Sequence, residues 1–459
     1  MRPSFIWSLK TGRIYKDMDI NQGEKITRLA ITDFRDLEQC FGIKEKNRLS
    51  HMYILGKTGT GKTTLLKNMI VSDIKDGNGL AVIDPHGDLA GDLLNFIPKG
   101  RIKDTIYFNP ADLDFPISFN PLEKVHPDYH PLVASNLISV FKKLWNEFWG
   151  PRMEYILRNA ILSLLDYPES SLLDLMQLLT DKDFRKKVID KITNPQLKNF
   201  WEKEFEKYSV WMRSEAISPI QNKVGQFLST PMLRNIFAQD KSSINIREIL
   251  DQGKILIVNL SKGQIGEDMC ALIGSLITTS IELAALSRAD TAENKRKPFY
   301  LYIDEIQSFI TLSLADMLSE SRKYGLSLIL THQYLNQLDE KIRHSIFGNT
   351  GTFIAFRLGH LDAILMAKEF YPVFDVCDLI NLSNYHIYLK LLIDGVTSKP
   401  FSAVTLPPPQ HQEGFKDEII AASRKVYARP KAEVERELLL KTMLKNSPLY
   451  DGDQKQRLF

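Results

Sequence analysis

The chain has 459 residues, 44% of them hydrophobic and 25% charged, with a formal net charge of +3. A length beyond what one hydrophobic core usually serves implies two domains, or one domain carrying a large insertion. So small a net charge excludes an argument for nucleic acid from overall charge, while leaving room for a local basic lining; Cys40, Cys270 and Cys377, odd in number and in no metal-binding or C-x-x-C spacing, exclude a disulfide scaffold and read as cytosolic thiols.

Taken in order, the first 50 residues are mixed and short-patterned. Met1 to Trp7 lack an apolar core long enough for a signal peptide. A polar turn at Asn21-Gln22-Gly23 and a short helix near Asp33 to Phe41 are expected, in a segment too small to be a substantial domain. It is expected to pack on the edge of a sheet.

Met52 to Leu55 form a short apolar run, the pattern of a buried strand. It leads into Gly56-Lys57-Thr58-Gly59-Thr60-Gly61-Lys62-Thr63, the spacing G-x-x-x-x-G-K-[ST] without a mismatch, and a helical pattern from Thr64 to Ile74 follows. Glycines there let consecutive N–H groups turn inward around a polyphosphate, and the helix behind adds its positive end. Gly56, Thr58, Gly59, Thr60, Gly61, Lys62, Thr63 and Thr64 are therefore the candidate nucleotide-binding residues. Lys62 would reach the β- and γ-phosphates, and the Thr63 hydroxyl would sit on Mg²⁺. The first 50 residues would help to wall the nucleotide base.

Leu80 to Asp84 is an apolar strand ending on a carboxylate, a helical stretch runs on to Phe96, and Thr105 to Phe108 is a further strand. This is the rhythm of a parallel sheet with helices on its faces. Asp84 and the turn Pro85-His86-Gly87-Asp88 stand at a strand's carboxyl end, where ligands bind in open α/β sheets. One His with two Asp is a poor transition-metal set, so a structural or nucleotide-edge role is expected there.

From Asp128 to Asp240 strand signals nearly vanish. Pro131 to Phe148, Arg152 to Asp166, Ser171 to Leu179 and Asp183 to Ile192 show helical periodicity. Residues 128–240 read as an all-helical insertion, with Trp145, Trp149, Trp201 and Trp211 as its own core. The flanking blocks, 51–127 and 241–409, then make up one α/β domain.

Gly253 to Leu260 resumes the sheet. Met269 to Leu286 has about the minimum length for crossing a bilayer, but Glu282, the Thr278-Thr279-Ser280 cluster and the acidic start at Glu267-Asp268 read as a buried helix. Phe299 to Ile303 is an apolar strand closing on Asp304-Glu305. A helix through Ser319 to Tyr324 and a strand from Leu326 to Leu330 come next, with Thr331-His332-Gln333 at its tip. Further strands are expected at Gly351 to Phe356 and His386 to Leu392, separated by helices at His360 to Phe370 and Val376 to Asn381. Pro407, Pro408 and Pro409 mark the end of the folded core. Residues 410–459 then read as two charged helices hinged near Pro430 and a loose tail.

A strand ending in Asp-Glu, in the same chain as a phosphate loop, has a defined chemistry. Asp304 would hold Mg²⁺ through water, opposite Thr63, and Glu305 would orient and deprotonate a water attacking the γ-phosphate. Gln333, at the tip of the next strand, is placed to sense the γ-phosphate or that water. The gap of about 240 residues between Lys62 and Asp304 exceeds what a compact phosphate-loop domain needs, which the helical insertion explains.

The stretches GKTGTGKT, AVIDPHGDLA, FNPADLDFPISFNPLE, WGPRMEYILRNA, FYLYIDEIQSF and ESRKYGLSLILTHQ together resemble the HerA/FtsK class of DNA-pumping ATPases. Within that class the chain is most similar to the TraG/TraD-type coupling ATPases of type IV secretion and conjugation, over roughly Ile31 to Pro409. The resemblance implies an α/β, RecA-like P-loop NTPase with a central, mostly parallel sheet and an all-helical inserted domain. It also implies a homo-oligomeric ring, usually a hexamer, that translocates DNA through a central channel using ATP and Mg²⁺. Carried over onto this sequence, Lys62 and Thr63 match the phosphate loop, Asp304 and Glu305 the magnesium and base positions, and Gln333 the sensor. An arginine finger acts across a subunit boundary in this class; Arg322 and Arg357 are level candidates, with Arg152 a distant third. DNA contacts are expected from loops at Ser261-Lys262-Gly263 and Lys341 to Asn349.

Membrane-anchored coupling proteins begin with transmembrane helices and HerA proteins with a barrel, and the residues ahead of the phosphate loop supply neither. A cytoplasmic motor is expected, its membrane anchoring either absent or supplied at the inner face by a relaxase or secretion-channel partner. Two other functions stay open: an ATPase of the same class moving a polypeptide in secretion or pilus assembly, and a nucleotide-dependent scaffold without hydrolysis, against which Glu305 argues.

Overall fold

A strand covered by helices on both faces must be apolar at every position rather than at alternate ones, and the short apolar runs of the sequence become strands of this kind. The structure, a computed structural model, describes residues 25–34, 38–123, 125–311 and 313–445, together with a hairpin of two-residue strands, Ile6–Trp7 and Ile14–Tyr15. One sheet has eleven strands: β1 (Ile26–Thr32), β2 (Gln39–Lys44), β3 (Met52–Leu55), β4 (Gly79–Asp84), β5 (Thr105–Phe108), β6 (Ile255–Asn259), β7 (Phe299–Ile303), β8 (Leu326–His332), β9 (Thr352–Ala355), β10 (His386–Lys390) and β11 (Phe401–Thr405). Their order across the sheet is β2-β1-β11-β10-β9-β3-β8-β7-β4-β6-β5. Neighbours from β9 to β6 run parallel. From β9 outward through β10, β11 and β1 to β2 they alternate in direction. Every residue of β3, β4, β6, β7, β8 and β9 is buried.

The N-terminal segment departs from expectation. Gln39–Lys44 is a strand where a short helix was expected from Asp33 to Phe41, and it pairs with β1 to form the sheet's antiparallel end. Residues 35–37 and the expected turn at Asn21 to Gly23 lie outside the described residues. The core also continues beyond the prolines at 407–409: Phe415, Ile419 and Ile420 pack against the cluster that contains Met52, Ile54, Leu65 and Met69. The tail expected from 446 to 459 lies outside the described residues.

The chain divides into two compact units, whose boundaries differ from those read in the sequence. One comprises Met1–Tyr107, Ile246–Ser261 and Ile281–Ile420, the other Phe108–Asn245, Lys262–Ser280 and Ala421–Phe459. The first holds the sheet. The second is helical, with His130–Leu144, Pro151–Asp166, Leu172–Thr180, Lys182–Lys191 and Val210–Ser229 among its elements. Trp145 and Trp201 are core residues of that unit, the Trp201 indole donating to Ser163 Oγ at 2.8 Å. Trp211 is not: in the first turn of Val210–Ser229 it is 71% exposed. One helical stretch, Glu267–Asp290, is long and apolar enough to cross a membrane, and 72% of its most apolar window is buried inside the protein. The three cysteines form no disulfide.

Two buried polar centres tie the first unit together. Arg48, fully buried, donates to both carboxylate oxygens of Asp73 at 2.7 and 2.9 Å, to Thr27 Oγ1 at 2.7 Å and to the Tyr302 hydroxyl at 2.7 Å, and lies 3.8 Å from the Tyr300 ring centroid. Burial works against its charge, but Asp73 and the two tyrosines more than offset that, and its pKa stays above the ordinary arginine value. Removing one member of such a pair leaves an uncompensated buried charge. Asp73→Ala is expected to destabilise the unit by about 3–5 kcal/mol, read from urea unfolding of the full chain.

His51 is the second centre. Its Nδ1 accepts from the Leu328 N–H at 3.1 Å, so Nε2 carries the proton and faces the Leu318 carbonyl at 3.1 Å. Burial lowers its pKa from 6.5 to about 4. The unfolded chain therefore binds more protons at this residue between those values, and stability falls as pH drops from about 6.5 to about 4. His51→Gln is expected to make that loss shallower in urea midpoints measured across the interval.

Candidate active site

Parallel pairing aligns the carboxyl ends of β3, β8 and β7: His332 lies opposite Leu55, and Leu330 opposite Ile303. The segments after these strands therefore emerge at one edge, the edge at which open α/β sheets bind ligands. The phosphate loop comes after β3, Gln333 after β8, and Asp304 and Glu305 after β7. The structure thus brings Lys62, Gln333, Asp304 and Glu305 together.

In the loop, Gly59 (φ 76°) and Gly61 (φ 118°) occupy backbone conformations that L side chains rarely adopt. A Cβ on Gly61 would come 2.8 Å from Tyr385 Cδ1, and the Tyr385 N–H donates to the Thr60 carbonyl at 2.8 Å. Helix α1 (Lys62–Lys75) starts at Gly61 without a side-chain cap, which leaves its first N–H groups for a ligand in the loop. Lys62 is buried, and its Nζ donates to the carbonyls of Gly56 at 2.6 Å and Lys57 at 3.1 Å. Burial lowers its pKa, and the charges of Glu305 and Asp304 oppose that. Thr60 Oγ1 donates to the Lys57 carbonyl at 2.7 Å; Thr58 and Thr63 are exposed and Thr64 is half-buried.

The acidic pair is held by the tip of β8. The Thr331 hydroxyl donates to Asp304 Oδ1 and accepts the Glu305 N–H at 3.2 Å. Glu305 is left-handed, φ 51°, a strain that non-glycine residues retain mainly where the surroundings enforce it. Gln307 Nε2 donates to its Oε2 at 2.7 Å and Gln333 Nε2 to its Oε1. Gln333 Oε1 in turn accepts from Thr58 Oγ1 at 2.8 Å. A continuous chain of hydrogen bonds therefore runs from the phosphate loop through Gln333 to Glu305.

Burial pushes the Asp304 carboxyl above the usual carboxylate range. Thr331 opposes this, Glu305 and Asp84 add to it, and Lys62 relieves part of it. Around Asp304, Glu305 and Asp84 meet one buried ammonium, Lys62, a set that suits a divalent cation. A threonine hydroxyl and a carboxylate, Thr63 and Asp304, are hard oxygen donors of the kind Mg²⁺ takes alongside phosphate and water. Among the described residues no group of three or more His, Cys, Asp or Glu could hold a metal. The part played by Asp84 is structural, since its oxygens accept the N–H groups of His86 at 2.8 Å and Ala90 at 2.9 Å and so fix the turn and the helix behind it.

The two arginines stand at opposite edges of the sheet. Arg357 follows β9 beside its own phosphate loop: its carbonyl accepts the Lys57 N–H at 3.0 Å, and Nη1 donates to the Leu382 carbonyl at 3.3 Å. Arg322 is exposed in the turn Ser321–Tyr324, just before the amino end of β8. The expected DNA-contact loops also differ from expectation: Glu340–Asn349 is a helix, and Lys262–Ile265 a helical turn. Three residues of the site escaped sequence reasoning. Thr331 and Gln307 adjoin recognised motifs, but Tyr385 has no local signal.

Fold and edge together define a RecA-like phosphate-loop NTPase. Residues 41–362 match the family described as type IV secretion-system coupling protein DNA-binding domain, and the chain belongs to that family. The solved structure of plasmid coupling protein TrwB in complex with ADP and Mg²⁺ superposes with a TM-score of 0.59 at 18% identity, covering 86% of this chain and 97% of that one. TrwB with the non-hydrolysable GTP analogue GDPNP gives 0.59 at 19% identity, covering 84% and 91%. VirB4 of Thermoanaerobacter pseudethanolicus gives 0.56 at 14% identity, covering 85% and 99%. No curated protein sequence matches the chain.

Gly61→Ala is expected to weaken binding of a fluorescent ATP analogue by at least about ten-fold, because strain and the Tyr385 ring both oppose it. Gly91→Ala, where an added Cβ meets nothing within 4 Å, should leave binding unchanged.

Proposed function

We propose that the chain is an ATP-hydrolysing motor that assembles as a homo-hexameric ring and translocates DNA in type IV secretion or conjugation. The observation that carries the proposal is the meeting of Lys62, Asp304 and Glu305 at one sheet edge, with Gln333 bonded to both the phosphate loop and Glu305. The family's DNA-binding description supports the substrate. In this reading the N–H groups of α1 and the Lys62 ammonium hold the β- and γ-phosphates of ATP. Thr63 and Asp304 would hold Mg²⁺, which when bound neutralises phosphate charge.

Glu305 takes a proton from water as the water oxygen bonds to the γ-phosphorus. The bond from that phosphorus to the β–γ bridging oxygen breaks, and its electron pair leaves with ADP. Gln333 reports the state of the loop to the base. Arg322, exposed and away from its own loop, fits a finger acting on a neighbouring subunit better than Arg357, which is tied beside its own. Lys262 and Lys341, both exposed, are proposed to follow the DNA backbone. The motor would work in the cytoplasm, brought to the inner face of the membrane by a relaxase or channel partner.

The test is ATP turnover with single-stranded DNA, duplex DNA and no DNA over a series of salt concentrations. Stimulation by at least one DNA, fading as salt rises, is expected. Turnover indifferent to both, but stimulated by a polypeptide, would replace DNA with a protein substrate. Lys62→Ala should abolish turnover, and Glu305→Gln should keep ATP bound while lowering kcat at least about 100-fold.

A further inference from the structure

Glu305 is gripped from two sides by amides of different provenance. Gln333 holds Oε1 and also accepts a hydrogen bond from Thr58 of the phosphate loop, so its hold is coupled to whatever the loop contains. Gln307 holds Oε2 at 2.7 Å from the turn Ile306–Ser308, two residues along the chain from Glu305 itself, so its hold moves with the carboxylate. The distinction matters because the last torsion of a glutamate side chain is broad. A carboxylate gripped through one oxygen still swings, and one gripped through both has a fixed plane. Each oxygen offers two lone-pair directions, so two amide donors leave room for a water to be accepted.

We propose that Gln307 is a positioning residue for hydrolysis, keeping the Glu305 carboxylate aimed at the attacking water while Gln333 changes partner. This rests on the reading of Glu305 as the base. Gln307 touches no reacting atom in this scheme. It acts on the rate through aim alone, an effect to which proton transfer between oriented groups is sensitive.

The test uses the full chain in the DNA-stimulated ATPase assay, with nucleotide affinity measured separately by a fluorescent ATP analogue. Gln307→Leu should lower kcat on the order of ten-fold while KM for ATP and analogue affinity stay within about two-fold. Gln307→Glu, near in shape but setting a second carboxylate against Glu305, should lower kcat at least as far. In a Glu305→Gln background, Gln307→Leu should cause no further loss, because no base remains to be aimed. The inference is overturned if Gln307→Leu keeps kcat within about two-fold of the native chain, if Gln307→Glu turns over normally, or if Gln307→Leu costs as much without Glu305 as with it. Loss of analogue affinity in Gln307→Leu would likewise overturn it in favour of a packing role. Normal turnover by Glu305→Gln sinks the base assignment itself, whereas an inactive Glu305→Gln beside a fully active Gln307→Leu sinks only the role of Gln307.

Discussion

The chemistry of the active edge depends on one strand lying between two others. Leu326–His332 is buried along its whole length and pairs in parallel with the strand before the phosphate loop on one side and the strand before Asp304 on the other. Its last residues serve both neighbours. Thr331 fastens the two acids to each other, and Gln333 links Glu305 to Thr58. His332 Nδ1 meets the Tyr53 hydroxyl at 3.0 Å, and burial pushes its pKa down to about 4, so a neutral ring rather than a second cation lies behind Lys62.

The same unit buries charge in two contrasting ways. Around Arg48 charge and hydrogen bonding are nearly balanced: carboxylate, hydroxyls and an aromatic face converge on one guanidinium, and the result is rigidity. At the active edge Asp304 has two acids, Glu305 and Asp84, and a single buried lysine around it, and burial above all, with those acids adding to it, keeps Asp304 above its ordinary range. Asp84 fixes the turn behind it, but Asp304 and Glu305 beside an uncapped helix start serve no structural purpose that a better-paired arrangement would not serve at lower cost. They are suited to ligands that bring phosphates and a cation with them.

Legibility followed burial. Strands enclosed on both faces, such as Met52–Leu55 and Phe299–Ile303, are uninterrupted apolar runs and were found with their ends in place. At the antiparallel end of the sheet His386–Lys390 is legible, within the expected His386 to Leu392, and the remaining strands are not. Ile26–Thr32 and Gln39–Lys44 mix polar with apolar residues, and Ile26–Thr32 pairs with Phe401–Thr405 near the other end of the chain, Ile31 opposite Val404, so no local window contains the whole reason that Ile26–Thr32 is a strand, and Gln39–Lys44 follows by pairing with it. Trp211 failed differently. An aromatic in a helical pattern reads as core, but the first turn of Val210–Ser229 leaves it in solvent.

The sequence alone determined which chemical groups were available and roughly where each would emerge: a glycine loop with Lys62 and Thr63 after one strand, two acids after another, an amide after a third. Those features are local, because strand ends and loop spacings are written in contiguous residues. Only the tertiary structure decided that Thr58 and Gln333, 275 residues apart in sequence, bond to each other, that Tyr385 closes on Gly61, and that Arg322 and Arg357 face opposite edges. Such contacts follow from the order in which strands assemble in the sheet, and that order is set by burial of the whole core rather than by any segment's own pattern.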